Sequence, residues 1–119
     1  MESMTSRLRQ LLARPGTIVA PACFDPLTAR IAAATGFECI ALGGYALGSA
    51  SAISEPLMTM TEVVDAAQRI TACVDVPLIV DAATGFGDPL HVMRAVREFE
   101  QAGVAAIHKI GRASCRERV

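Results

Sequence analysis

Apolar positions along this chain follow two alternating rhythms. In MTSRLRQLLARPG, Met4, Leu8, Leu11 and Leu12 share one helical face, and Pro15–Gly16 ends the run. TIVAPACF then reads as a nearly continuous apolar strand. DPLTARIAAATG returns to helical spacing, with Asp25 as N-cap, Pro26 in the first turn and Gly36 as the stop. ECIALGG is a second strand, and a stretch rich in small residues from Gly44 to about Met58 reads as a loop. TMTEVVDAAQRITACV opens with Thr59 and Glu62 at capping-box spacing. VPLIVDA is a third strand, ATGFG a turn, DPLHVMRAVREFEQAG a helix capped by Asp88, and VAAIH a fourth strand.

Strands that are apolar throughout, alternating with amphipathic helices, predict a parallel sheet covered by helices, an α/β class. Two architectures begin this way: an eight-stranded barrel and an open doubly wound sheet. Both place their chemistry at the C-terminal ends of strands. Those ends are Phe24-Asp25, Gly43-Gly44-Tyr45, Asp81-Ala82-Ala83 and His108. An open-sheet nucleotide enzyme needs a glycine-rich phosphate loop after its first strand, and FDPLTAR offers none.

Composition narrows this further. At 119 residues, 52% hydrophobic and 19% charged, the chain suits one globular domain. The formal net charge of -1 hides an asymmetry, because residues 1–108 hold 7 basic and 11 acidic side chains, about -4. That body carries no electrostatic footprint for nucleic acid. Cys23, Cys39, Cys73 and Cys115 show no metal-finger spacing, and the three in the body read as small buried hydrophobes. MESMTSRLRQ has no signal-peptide core, and no apolar run approaches membrane-spanning length, so the expected location is the cytoplasm.

Two strand ends carry candidate chemistry. LGGYALGSA leaves backbone N–H groups unshielded by side chains, which suits either an approaching carboxylate or phosphonate or a plain glycine turn. Asp81 closes an apolar strand, where a carboxylate needs a cation or a hydrogen-bond network. Asp25 and Asp88 read as N-caps and His91 as a solvated rim residue. His108 is either core filler or a residue beside the site.

Taken together, FDPLTARIAAATGFECIALGGYALGSA and EPLMTMTEVVDAAQRITACVDVPLIVDAATGFGDPLHVMRAVREFEQAGVAAIH resemble the isocitrate lyase / phosphoenolpyruvate mutase superfamily. The nearest branch is that of methylisocitrate lyase, oxaloacetate decarboxylase and carboxyphosphonoenolpyruvate mutase relatives. The resemblance spans about Leu8 to His108. It implies the N-terminal half, about four β/α units, of a TIM (β/α)₈ barrel from a homo-oligomeric parent. It also implies Mg²⁺-assisted lyase chemistry on a small 2-hydroxy or 2-oxo carboxylate through an enolpyruvate-type intermediate. A phosphoryl-mutating or decarboxylating relative and a non-catalytic α/β binding module are the alternatives.

By the same resemblance, Gly43, Gly44 and Tyr45 stand where the family binds substrate, with Gly43 replacing a hydroxyl residue. Asp81 matches the first metal-site Asp, and Ala83 stands where the second belongs. Glu55 is the candidate for a further acidic ligand in the loop after the second strand. The catalytic acid/base residues belong to later segments of the family pattern and are unknown here.

The pattern stops at His108. The family continues with Ile-Glu-Asp, whereas here Lys109, Ile110 and Gly111 open a basic, aperiodic tail. Read back into codons, residues 109–119 match the start of a common short-read sequencing adapter. The expectation is therefore a partial barrel over residues 1–108 followed by a non-native tail, inactive as a truncated enzyme.

Overall fold

The computed structural model describes residues 2–110; the tail from 111 to 119 lies outside them. Helix α1 (Met4–Ala13) is capped by the Ser3 hydroxyl, which accepts the Ser6 N–H. The chain then runs β1 (Ala22–Cys23), α2 (Pro26–Thr35), β2 (Ile40–Leu42), α3 (Gly44–Ser51) and a 3₁₀ turn (Glu55–Leu57). It continues through α4 (Met60–Thr71), β3 (Leu78–Asp81), α5 (Pro89–Gln101) and β4 (Ala106–His108).

The four strands are parallel and lie in the order β1-β2-β3-β4. This order decides between the two architectures left open above. A doubly wound sheet reverses direction at a switch point and puts its first strand inside. Here β1 is an edge and the order never reverses, as in successive units of a (β/α)₈ barrel. β1 and β4 each pair on one side only among the described residues.

Side-chain alternation separates two apolar layers. Ile40, Leu42, Leu78 and Val80 point toward the helices and pack with Ala29, Val63, Ile70 and Phe99. Each is almost wholly removed from water, worth roughly 1.5–3 kcal/mol for a fully buried large aliphatic or aromatic side chain. On the other face, Leu8 of α1 packs with Cys39 and Ala105, just before β2 and β4. Helix α1 thus covers the N-terminal ends of the strands and leaves the C-terminal ends free. Cys23, Cys39 and Cys73 are free thiols, and burial pushes that of Cys23 up to about 11. No helix among the described residues is long and apolar enough to cross a membrane.

Two expectations change. The stretch from Gly44 to Met58 is not a loop, because it forms α3 and the 3₁₀ turn. The strand expected over TIVAPACF pairs only at Ala22–Cys23, and Val19 is largely exposed.

Candidate active site at the strand ends

The acidic residues nearest the strand ends divide by what their carboxylates already hold. Asp25 caps α2: it accepts the Thr28 N–H at 2.7 Å and the Thr28 hydroxyl at 2.8 Å. The Thr28 amide and then its hydroxyl hold the Asp25 carboxyl below the usual range. Asp88 caps α5, accepting the His91 N–H at 3.0 Å with the His91 ring at 2.8 Å. Both are therefore caps, as expected, and His91 is an exposed partner of one.

Asp81 is different. It ends β3 half-buried, and its Oδ1 accepts the Ala83 N–H at 2.9 Å. Ala83 carries positive φ, 48°. The loop is pinned from both sides, because Ala82 N–H donates to the His108 carbonyl and Ile110 N–H to the Ala83 carbonyl. In the β3–β4 register Asp81 is opposite His108, which is exposed.

The turn after β2 is built by glycine. Gly43 is the N-cap of α3 but offers no side-chain cap, so the first-turn amides meet no capping side chain. A Cβ at Gly43 would meet only Ala46, at 3.9 Å, whereas one at Gly44 would meet Glu55 Cγ at 3.0 Å and Oε1 at 3.1 Å. One turn on, a Cβ at Gly48 would stand 2.7 Å from the Ile53 carbonyl and 3.3 Å from the Glu55 backbone. Segment 53–55 therefore lies directly on α3, its backbone over Gly48 and the Glu55 side chain over Gly44. Tyr45 points into solvent.

Between this segment and the β3–α5 loop runs a cleft of about 500 Å³, bordered by Glu55, Thr59, Ala83, Thr84 and Phe86. A second, similar cleft between α1 and α2 lies at the opposite end of the sheet, away from every candidate residue. Sequence reasoning found the glycine turn, Asp81 and Glu55 but missed the packing of Glu55 on Gly44 and the hydroxyl of Thr84. The Gly44–Gly48 spacing of one helical turn signals close packing on α3, but nothing in it marks Glu55 as the residue that packs there.

Whether these residues suit a divalent cation depends on their donors. Among the described residues no three His, Cys, Asp or Glu side chains gather into a metal cluster. Mg²⁺ is commonly held by one or two carboxylates with water and substrate oxygens. Asp81, with one oxygen engaged by Ala83 N–H, suits that minimal role as a single protein ligand.

Successive parallel β/α units in unbroken order define a barrel-type α/β domain, with the glycine turn and Asp81 at its C-terminal strand ends. The family model of phosphoenolpyruvate phosphomutase matches residues 8–109. The chain belongs to that family.

Among curated proteins it is 44% identical over 105 residues to 2,3-dimethylmalate lyase of Eubacterium barkeri, covering 86% of this chain and 36% of that one. It is 45% identical over 102 residues to oxaloacetate decarboxylase of Pseudomonas fluorescens, covering 83% and 35%. To 2-methylisocitrate lyase of Aeropyrum pernix it is 43% identical over 101 residues, covering 84% and 33%. The chain thus spans about a third of the length of these relatives.

Solved structures agree on the fold. Phosphoenolpyruvate phosphomutase from Streptomyces platensis subsp. rosaceus superposes with TM-score 0.84 at 35% identity, over 87% of this chain and 36% of that one. A phosphonopyruvate hydrolase in complex with oxalate and Mg²⁺ gives 0.85 at 31%, over 89% and 38%.

Proposed function

We propose that this chain supplies the substrate-carboxylate turn and one metal carboxylate of a C–C bond lyase acting on 2-hydroxy or 2-oxo carboxylates of the 2-methylisocitrate type. The observation that carries this reading is the uncapped Gly43–Gly44–Tyr45 turn at the same sheet end as Asp81. Its amides suit a substrate carboxylate. Asp81 would hold Mg²⁺ directly or through water, with Glu55, which borders the cleft beside the β3–α5 loop, as the further acidic candidate. When bound, the ion would polarise the 2-oxo oxygen and stabilise enolate charge. Breaking the C–C bond beside a hydroxyl leaves a carbonyl on one fragment and places the electron pair alpha to a carboxylate on the other. Decarboxylation and phosphoryl migration in relatives share that enolate, which is why one turn and one carboxylate could serve all three.

The group that takes the hydroxyl proton is not among these residues, so the 119-residue chain is proposed to bind ligand without turning it over, the parent assembling as a homo-oligomer. Titration of oxalate with and without Mg²⁺ into the chain and its Asp81→Ala variant tests this. Mg²⁺-enhanced binding lost in the variant is expected. Equal Mg²⁺ enhancement in both proteins would remove Asp81 from the metal site, and no oxalate binding at all would remove the turn.

A further inference from the structure

We infer that Glu55 is a specificity-determining residue that guards the Gly43–Gly44–Tyr45 turn, lying over it at rest and yielding it to an incoming carboxylate. The inference rests on the substrate-carboxylate reading above.

The packing is specific. Glu55 Cγ and Oε1 come within 3.0 and 3.1 Å of where a Gly44 Cβ would stand, so a side chain at position 44 would push Glu55 out of this seat by a few tenths of an ångström. The backbone beneath is held as firmly. Ile53 N–H donates to the Gly48 carbonyl at 2.9 Å, Met58 N–H donates to the Glu55 carbonyl at 3.1 Å, and Gly48 lets segment 53–55 approach. The side chain can move while its backbone cannot. Its carboxylate makes no hydrogen bond or ion pair among the described residues, so leaving the seat breaks no specific bond. The cleft of about 500 Å³ that Glu55 borders gives it space, with the Thr59 and Thr84 hydroxyls along the walls.

The consequence is electrostatic. A second carboxylate cannot share the turn with Glu55, since like charges about 4 Å apart repel by about 1 kcal/mol even at the dielectric constant of water. Every anion that docks must displace Glu55 or bind against its charge. The penalty grows with ligand charge, so Glu55 favours singly charged carboxylates over doubly charged ones of similar size.

The experiment titrates oxalate, a dianion, and pyruvate, a monoanion, into the full chain, Glu55→Gln and Glu55→Asp at low and high salt, without Mg²⁺ so that the metal-ligand role of Glu55 does not enter. Glu55→Gln keeps the shape and removes the charge. It is expected to bind oxalate about fivefold more tightly than the unmodified chain. Pyruvate should gain less, and both gains should shrink at high salt. Glu55→Asp retracts the charge from Gly44 and should fall between. Thermal melts of all three establish that the fold is retained. Unchanged or weaker oxalate binding by Glu55→Gln overturns the guard while leaving the turn as the carboxylate site. Failure of all three proteins to bind either anion overturns the guard and the site together.

Discussion

The carboxylate of Asp81 accepts the amide of Ala83 at 2.9 Å, and that amide belongs to an alanine held at φ 48°. Ala83, the position where the resemblance places a second carboxylate, is thus one of three described non-glycine residues in a left-handed conformation. Asn and Asp adopt that region several-fold more readily than other non-glycine residues. Ala83→Asp should therefore tighten Mg²⁺ binding and raise the melting temperature. Ala83→Asn should raise the melting temperature alone, by up to about 1 kcal/mol of stability. Calorimetric titration alongside thermal melts separates the two effects, and an Asp variant that binds Mg²⁺ no better than Asn would show that position 83 does not reach the ion.

A hydroxyl at position 43 has room. Since a Cβ there meets only Ala46 at 3.9 Å, Gly43→Ser should fold unchanged and cap α3. The stability gain over glycine is a few tenths of a kcal/mol. Oxalate affinity is expected to rise as well, because the resemblance places a hydroxyl residue beside the substrate at this position. The same titration reads it, and a loss of affinity would place the ligand elsewhere.

Gly48→Ala should destabilise the chain, although alanine in a helix interior normally gains about 1 kcal/mol over glycine. The new methyl would stand 2.7 Å from the Ile53 carbonyl, a backbone atom that can yield only by shifting segment 53–55. Overpacking of this kind typically costs 1–3 kcal/mol, so the clash wins. A lowered melting temperature is expected by circular dichroism. An unchanged or raised one would mean that segment 53–55 does not lie on α3.

Acid should loosen the helix starts. The carboxyls of Asp25, Glu62 and Asp88 are each held low, first by a backbone N–H at their own helix N-terminus and then by a neighbouring side chain. A carboxyl depressed in the folded state contributes stability that is complete above its unfolded value. That contribution is lost as pH falls through the folded one. The melting temperature should therefore hold through the neutral range and decline below the ordinary carboxylate values of 3.8 and 4.5. Asp25→Asn, which keeps an oxygen for the cap and removes the titration, should flatten part of the decline. An identical acid profile in that variant would assign the loss to other groups.

Most of the helical framework was legible because its punctuation is chemical. Asp25-Pro26, Thr59 with Glu62, and Asp88-Pro89 each start a helix where the sequence says it should, with the bonds the residue types require. Helix α3 was not legible. GYALGSAS has two glycines, two serines and no capping side chain, all signals of a loop, and its helix is held instead by contact with the 3₁₀ turn and β1. The first strand was overread because an apolar run says nothing about which residues find a ladder partner. Ile18 and Ala20 half-bury their side chains against the cluster around Leu8 without pairing. At the site, Asp81 and the glycine turn stood out as residue types at strand ends. The seat of Glu55 on Gly44 joins residues from two elements and has no linear signature.

The uninterrupted order of the sheet also bears on how the chain acquires its structure. Among the described residues each strand pairs only with its neighbours in sequence, across a single intervening crossover. Each closure within the described sheet is therefore local in sequence, and none of these pairings waits for a distant segment. During synthesis each unit can dock on the last as it leaves the ribosome, so the nascent chain always offers one fresh edge as a template for what comes next.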